Sequence, residues 1–179
     1  MSADRAMLGT SGYARRERDA YPTPLWVTEA LINSQVEFRG DIWEPAAGAG
    51  DMASILRWFY RVVATDIGWA DSTDFLQQQS LPDGVKSIVT NPPFDRIDAF
   101  IRHALELTRP PRGMVAMLGR HELDCAAGRR DPPFAVKIVL TRRPRWVARH
   151  PGDSSPRHNF SWFVWDWEHA GPSVLRYAP

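Results

Sequence analysis

The stretch DIWEPAAGAGD, residues 41–51, decides the fold. A short apolar run leads into a loop of small residues, and the loop leads into an amphipathic segment that extends through about Tyr60. Gly48 and Gly50 allow the backbone to turn sharply and let a ligand approach it. Glu44, at the end of the apolar run, can accept hydrogen bonds from a ligand ammonium or hydroxyl group. The pattern predicts a buried strand, a ligand-binding loop and a helix, and the alternative is a loop that only caps the helix.

The same loop argues against one class of ligand. It lacks the third glycine of the dinucleotide fingerprint Gly-x-Gly-x-x-Gly. That fingerprint cradles a pyrophosphate at the start of a helix. The sequence therefore counts against a phosphate site and against a dehydrogenase.

A second apolar run, residues 61–66, ends in Asp66, which follows Glu44 by 22 positions. This separation is close to the roughly 20-residue spacing at which α/β folds place an acid beside a ribose. We therefore expect Asp66 to bind ribose hydroxyls, with Ile67 flanking an adenine ring.

Further apolar runs indicate the rest of the sheet, near Ser87, Gly113, Val136 and Phe160. Strands that first alternate with helices predict a doubly wound, mostly parallel α/β sheet with helices on both faces. Residues 136–140 and 160–167 are predicted as the last two strands, forming an antiparallel hairpin pair. Ligands bind at the carboxyl ends of strands in such sheets, where Glu44, Asp66 and Asn91 would meet.

Asn91-Pro92-Pro93-Phe94 follows the apolar run 87–90 directly. The two prolines fix φ at about −65° and remove two N–H donors, which predicts a stiff loop whose carbonyl oxygens lack internal partners. The Asn91 side-chain oxygen and the Pro92 carbonyl could each accept one hydrogen of a planar amine, and the Phe94 ring could stack on a base. The alternative is a simple turn that ends the strand.

Near the N-terminus, Tyr21-Pro22-Thr23-Pro24 precedes an amphipathic helical stretch from about Val27 to Val36. Proline suits the first turn of a helix because its missing N–H would have no helical partner there. A threonine before it can cap the helix by accepting from free backbone N–H groups. This pattern predicts Thr23 as the helix cap.

These segments, taken in order, resemble motifs of the class I S-adenosylmethionine-dependent amino-methyltransferases. Residues 21–24 resemble motif X of the adenine N6 enzymes, residues 44–50 resemble motif I, and residues 91–94 resemble motif IV. Asp74-Phe75 resembles the acid and aromatic pair that grips the cofactor's adenine. Over roughly residues 21–167 the chain resembles the small phage-type or prophage-type DNA adenine-N6 methyltransferases.

The resemblance implies methyl transfer from S-adenosyl-L-methionine to the N6 amine of adenine in DNA, by direct in-line displacement on an extruded base. The catalytic residues it implies are Asn91, Pro92, Pro93 and Phe94. The cofactor-binding residues it implies are Tyr21, Thr23, Pro24, Glu44, Pro45, Ala47, Gly48, Gly50, Asp66, Ile67, Asp74, Phe75 and Asn91.

The connection between the predicted last two strands, residues 141–159, is long and basic. We interpret its cations together as a contact for a nucleic acid, although each one alone suits a solvated loop. The segment 143–146 resembles an Arg-Pro-x-aromatic segment of related small enzymes, whose aromatic residue could cover the second face of an extruded base. The candidate nucleic-acid-binding residues are Arg142, Arg143, Arg145, Trp146, Arg149 and Arg157.

Composition sets limits on the organisation of the chain. A length of 179 residues with 44% hydrophobic content suits a flexible tail over residues 1–20 and one domain over residues 21–179, with no separate target-recognition domain. The single cysteine and the lack of a signal peptide predict a cytoplasmic protein. The five histidines show no metal-ligand spacing, so we predict no metal.

The charge is distributed unevenly. Residues 1–108 hold 10 basic and 15 acidic side chains, whereas residues 109–179 hold 12 basic and 6 acidic ones. A basic C-terminal part suits contact with a phosphate backbone on one side of the protein. We expect a monomer or homodimer, with a possible partner protein for target recognition.

Three alternatives remain open from the sequence. A planar amine also occurs on adenine in RNA and on the side-chain amide of a glutamine, so either could be the acceptor. From a different class, the chain could be a catalytically silent nucleic-acid-binding module of the same fold. Intact Asn91 and Glu44 favour an enzyme.

Overall fold

The computed structural model describes residues 22–70, 74–126, 128, 131, 133–146 and 158–178. The predicted N-terminal tail, residues 1–20, lies outside these ranges. The described chain forms helices α1 (Leu25–Asn33), α2 (Asp51–Leu56) and α3 (Ile97–Thr108). Its strands are β1 (Asp41–Glu44), β2 (Val62–Ala64), β3 (Val85–Thr90), β4 (Met114–Arg120), β5 (Phe134–Leu140), β6 (Phe160–Asp166) and β7 (Val174–Ala178).

The strands form one sheet in the order β2-β1-β3-β4-β6-β5-β7. Neighbours from β2 to β4 pair in parallel, β6 runs antiparallel to both β4 and β5, and β7 is parallel to β5. The predicted α/β class, the mostly parallel sheet and the antiparallel C-terminal pair are confirmed.

The prediction that residues 136–140 and 160–167 are the last two strands was wrong. Strand β7 follows them and pairs with β5 from Val136 opposite Val174 to Leu140 opposite Ala178. Its side chains are mostly exposed, because β7 is an edge strand. The strand therefore lacks the long buried run by which the central strands are recognised.

Helices cover both faces of the sheet. On one face, Val27 and Leu31 of α1 pack in a core with Ile42, Val89 and Leu118 of the strands. On the other face α3 packs Phe100 and Ala104 against residues such as Ile88 and Val115. The central strands are therefore buried on both sides, and their nearly continuous apolar runs reflect this.

The boundaries of α1 and α2 differ from the predicted ones. Helix α1 ends at Asn33 and not at Val36, because Gln35 has a left-handed backbone with φ of 62°. Helix α2 ends at Leu56 and not near Tyr60. The predicted cap was also wrong, since Pro24 is the N-terminal flanking residue of α1 and no side chain caps that end.

Helix α1 is anchored to the sheet by a buried hydrogen bond. The indole Nε1 of Trp162, in β6, donates to the backbone oxygen of Val27 at 2.8 Å. Trp162 is fully buried, and its ring also packs in the core beneath α1. This bond fixes the position of α1, and with it the segment that precedes the helix.

No helix in the described ranges combines the length and the apolar character that crossing a membrane requires.

Gly113, just before β4, is required by close backbone packing. A Cβ at this position would lie 1.7 Å from the backbone oxygen of Lys86. We expect Gly113→Ala to lower the free energy of unfolding by about 3 kcal/mol, because backbone on both sides must move. Urea denaturation measures this. The comparison is Gly171→Ala, where φ is 108° and no atom lies within 4 Å, so that only backbone strain acts. Equal losses in the two variants would contradict the packing argument.

Candidate active site

A cavity of about 400 Å³ lies at the carboxyl edge of β1, β2 and β3. This volume is within the range of small-molecule sites, about 300–1,000 Å³. Its walls come from the segment before α1, the loop after β1, the loop after β2 and the loop after β3. The predicted site residues that line it are Thr23, Glu44, Pro45, Ala47, Gly48, Asp66, Ile67, Asp74, Phe75, Asn91 and Pro93. Pro24, Gly50, Pro92 and Phe94 are not among its lining residues, and Tyr21 lies outside the described residues.

The glycine loop after β1 turns as the sequence predicted. Gly48 and Gly50 have φ angles of 55° and 87°, which side-chain-bearing residues rarely adopt. The Gly50 N–H donates to the Ala47 oxygen at 2.7 Å and closes the turn into α2. No atom lies within 4 Å of the position of a Cβ at either glycine. The glycines therefore serve the turn, and they leave open space beside the backbone.

Asp66 follows β2 and ties its loop to the glycine loop. Its two carboxylate oxygens accept from the backbone N–H groups of Gly48 and Gly68, each at 2.8 Å. Trp69 closes the same rim, since its indole Nε1 donates to the Gly48 oxygen at 3.0 Å. Ile67 is exposed beside them and lines the cavity.

Glu44 lies at the carboxyl end of β1 and is only 2% exposed. Burial raises the pKa of Glu44 from 4.5 to about 8, and the nearby Asp51 and Asp66 act in the same direction. A backbone N–H from Ala53 and the charge of Arg57 lower the pKa of Glu44, but burial outweighs them. Its Oε2 atom is buried without a hydrogen-bond partner. Buried acceptors normally have partners, so this atom has capacity for a ligand donor.

The loop after β3 brings Asn91 to the cavity. Its side-chain Nδ2 donates to the Thr23 Oγ1 at 3.1 Å, and its Oδ1 is buried without a partner. This bond explains the incorrect cap prediction, because the Thr23 hydroxyl contacts the strand end and not the helix. Pro92 is buried, whereas Pro93 lines the cavity. The expectation that the loop carbonyls lack internal partners was wrong for Pro93, whose oxygen accepts from the Arg96 N–H at 3.0 Å.

An ion pair joins the loop after β3 to the segment at Asp74. The Asp74 Oδ2 accepts from the Arg96 Nη2 at 3.2 Å, while its Oδ1 accepts from the Leu76 backbone N–H. Phe75 is 2% exposed and packs at 5.2 Å from Trp43, between ring centroids. Phe75 therefore lies at the base of the cavity, and its ring does not offer an open face for stacking.

Three aromatic rings meet beside the loop 91–94. The centroid of Phe94 lies 6.0 Å from that of Trp146 and 5.4 Å from that of Phe160, and Trp146 lies 4.9 Å from Phe160. The structure thus brings together Phe94 and Trp146, the two residues that the sequence proposed for the two faces of a base. In this arrangement the rings contact one another, so a base would have to enter between or above them.

The basic residues near this aromatic group are only partly available. The Arg142 guanidinium lies over the Trp26 ring, 4.5 Å from its centroid, and the Arg143 Nε donates to the Asn159 Oδ1 at 2.8 Å. Arg145 is half-buried. Arg149 and Arg157 lie outside the described residues.

The charged side chains that line the cavity are mostly acidic. Glu44, Asp51, Asp66 and Asp74 contribute carboxyl groups, and Arg96 contributes the one guanidinium among the described lining residues. A surplus of carboxylates favours a cationic ligand and disfavours a phosphate. In the described part of the chain no group of three or more histidine, cysteine or acidic residues could hold a metal ion.

Sequence reasoning missed nine of the described lining residues, which are Pro22, Ala46, Ala49, Asp51, Met52, Gly68, Trp69, Arg96 and Phe100. Trp69 lies three positions after Asp66, and nothing in a single tryptophan indicates that its indole returns to the glycine loop. Arg96 lies five positions after Asn91, and nothing in this spacing indicates that its guanidinium pairs with Asp74 at the cavity.

Solved structures share this arrangement of strands. A candidate RNA methyltransferase from Pyrococcus horikoshii aligns with a TM-score of 0.54 at 13% identity, covering 82% of this chain and 86% of that one. A predicted O-methyltransferase from Agrobacterium tumefaciens aligns with a TM-score of 0.53 at 13% identity, covering 86% and 85%. The fold is that of the class I methyltransferases.

A third similar structure is the methyltransferase subunit of a type I restriction-modification system from Streptococcus thermophilus. It aligns with a TM-score of 0.52 at 12% identity over 84% of this chain, and this chain spans 45% of its length. No protein-family model and no curated protein sequence matches the chain. At these identities the likeness shows the fold alone.

The raised pKa of Glu44 predicts a pH-dependent difference in stability. Between pH 4.5 and about 8 the folded protein keeps a proton on Glu44 that the unfolded chain releases, so this contribution to the free energy of unfolding falls as pH rises. Glu44→Gln removes that contribution. We expect the variant to gain stability relative to the wild type across this window, by on the order of a few kcal/mol.

Urea denaturation at several pH values between 5 and about 9 measures this difference. Glu29→Gln, on an exposed position of α1, is the matched control for the substitution itself. A constant difference between Glu44→Gln and the wild type across the window would contradict the prediction.

Proposed function

We propose that this protein transfers a methyl group from S-adenosyl-L-methionine to the exocyclic N6 amine of adenine in DNA. The observation that carries the proposal is the meeting of three strand ends at one cavity. There the glycine loop, the acids Glu44 and Asp66, and Asn91 line a single space, and the Oδ1 of Asn91 is buried without a partner.

The cavity fits the cofactor chemically. S-adenosylmethionine supplies a methyl group on a positively charged sulfonium, and it carries an ammonium group and a ribose but no phosphate. The unpartnered Glu44 Oε2 suits the ammonium group, and Asp66 beside the glycine loop suits the ribose hydroxyls. A cation beside Glu44 also favours its ionised form and so opposes the effect of burial on its pKa. Together, the carboxyl groups that line the cavity favour the positive charges of the cofactor's sulfonium and ammonium groups.

The loop 91–94 supplies the other requirement, which is to make a planar amine react. The nitrogen of such an amine is a poor nucleophile because its lone pair is delocalised into the ring. An acceptor that takes an amine hydrogen favours a tetrahedral nitrogen, and the Asn91 Oδ1 is an acceptor without a partner. This oxygen is shielded from solvent, so an amine reaches it only after the groups that cover it move.

Catalysis on this proposal needs orientation and electrostatics, with no covalent enzyme intermediate. Pro92 and Pro93 restrict the backbone that carries Asn91, and the Pro92 carbonyl is proposed as the second acceptor. Phe94 and Trp146 are proposed to stack on an extruded base once their own ring contact opens, and extrusion costs a few kcal/mol. Arg142, Arg143 and Arg145, with Arg149 and Arg157, are proposed to contact phosphates.

The charge of the chain supports a nucleic acid as the acceptor. The part from residue 109 onward carries 12 basic and 6 acidic side chains, and it includes β5, β6 and the segment that holds Trp146. Adenine in RNA and glutamine in a protein present the same amine geometry. RNA and protein are therefore included as candidate acceptors in the labelling experiment.

Asn91→Ala tests the assigned role directly. We expect methyl transfer to fall by at least about 100-fold, since one preorganised hydrogen-bonding group at a reacting centre contributes about this much. The dissociation constant of S-adenosylhomocysteine, measured by isothermal titration calorimetry, should stay within about threefold. Asn33→Ala, at the exposed end of α1, is the matched control. Equal loss of turnover and of cofactor binding would show that Asn91 serves the cofactor instead.

The acceptor is identified by labelling. The protein is incubated with S-adenosylmethionine carrying a radioactive methyl group and, separately, with duplex DNA, single-stranded DNA, RNA and a protein extract. Nucleoside analysis of the labelled product should give N6-methyladenine from DNA. Label in RNA or on glutamine would replace the proposed acceptor, and cofactor binding without label in any arm would favour the silent binding module.

A further inference from the structure

We propose that Thr23 is a positioning residue that holds the side-chain amide of Asn91 with its oxygen turned towards the ligand. This inference rests on the proposed function, in which Asn91 is the acceptor for the target amine. It assigns the segment before α1 a role in the chemical step.

The two side chains are far apart in the sequence and adjacent in the fold. The Asn91 Nδ2 donates to the Thr23 Oγ1 at 3.1 Å across 68 positions, and both residues line the cavity. Thr23 is 8% exposed. The bond is part-buried, so water competes for its two partners less than it would at an exposed site.

The local sequence removes the usual way in which an asparagine in a turn fixes its amide. An asparagine in a turn commonly bonds its side-chain oxygen to the backbone N–H two residues later. Here the next two residues are Pro92 and Pro93, and neither has an N–H. The Oδ1 of Asn91 is accordingly buried without a partner. The amide is held from its nitrogen side, by Thr23.

Thr23 is free for this task and is held in place independently of the loop. No side chain caps α1, so the Thr23 hydroxyl does not serve that helix. Helix α1 is fixed to β6 by the bond from the Trp162 indole to the Val27 oxygen, at 2.8 Å. The position of Thr23 is thus set by the sheet and not by Asn91.

The consequence follows from the shape of an amide. Rotating the Asn91 amide by half a turn exchanges its acceptor and its donors. A hydroxyl can accept or donate, so Thr23 anchors whichever end of the amide faces it. In the structure that end is Nδ2, which leaves the oxygen to accept an amine hydrogen. Without the hydroxyl, the amide loses this anchor and also samples orientations in which its NH₂ group faces the amine, and two donors cannot bond. Turnover should then fall while the cofactor contacts of the cavity remain.

Thr23→Val tests the role, because valine keeps the shape of threonine without the hydroxyl. We expect kcat to fall about tenfold, as for the loss of one hydrogen bond to a reacting group. The dissociation constant of S-adenosylhomocysteine should stay within about twofold. Thr23→Ser keeps the hydroxyl and should restore turnover. Thr28→Val is the matched control, since Thr28 is also buried near the start of α1 and its Oγ1 has no partner.

Two results would overturn the positioning role. One is a Thr23→Val variant that loses cofactor affinity as much as turnover, because Thr23 would then act on the cofactor. The other is a Thr23→Ser variant as impaired as Thr23→Val, because the hydroxyl would then be irrelevant.

A readout without turnover separates this inference from the proposed function. Nuclear magnetic resonance on the ¹⁵N-labelled protein follows the two Nδ2 hydrogens of Asn91, which are assigned by their absence in Asn91→Ala. They should exchange slowly with solvent in the wild type and in Thr23→Ser, and faster in Thr23→Val. Equal exchange in all three overturns the inference, even if methyl transfer is found. Slower exchange in the wild type than in Thr23→Val supports the hydrogen bond between Thr23 and Asn91, even if no acceptor takes up label.

Discussion

Parallel pairing of β1, β2 and β3 is the constraint on which the site depends. Trp43 lies opposite Val63 on one side and Ile88 on the other, so the three strands end within about one residue of the same level of the sheet. Each chain segment leaves its strand there, and each carries a polar side chain at that point. Glu44 and Asn91 thereby line one cavity although 47 positions separate them. The two apolar cores fill the two faces of the sheet, so the space that remains for a ligand lies at this edge.

The site combines a rigid frame with polar atoms that have no partner. Glu44 Oε2 and Asn91 Oδ1 are both buried and unpartnered, and such atoms are destabilising unless a ligand or water satisfies them. The raised pKa of Glu44 has the same origin, because burial makes the charged carboxylate unfavourable. Proteins tolerate these costs mainly where function requires them. The position of both residues at one cavity therefore supports a binding site more strongly than either residue alone.

Much of this arrangement could be predicted from the sequence, because the signals were local. The run 41–44 with its glycine loop, and the run 87–90 with its two prolines, indicated strands and turns by their own composition. Long-range contacts gave no such signal. The cap at Thr23 was predicted wrongly because the hydroxyl bonds Asn91, and β7 was missed because an edge strand has little buried surface. Trp69 and Arg96 reach the cavity through tertiary contacts that no spacing encodes.

The bond between Thr23 and Asn91 links the two halves of the proposed chemistry. Thr23 belongs to the segment that precedes the glycine loop, which is proposed to bind the cofactor, and Asn91 belongs to the loop proposed to bind the acceptor. The prolines after Asn91 remove the backbone donors that would otherwise satisfy its oxygen, and they leave that oxygen for a ligand. The same sequence feature that stiffens the loop thus leaves the Asn91 oxygen without a local donor, and the hydroxyl of a distant threonine bonds the amide from its nitrogen side. In the proposed chemistry this contact orients the acceptor.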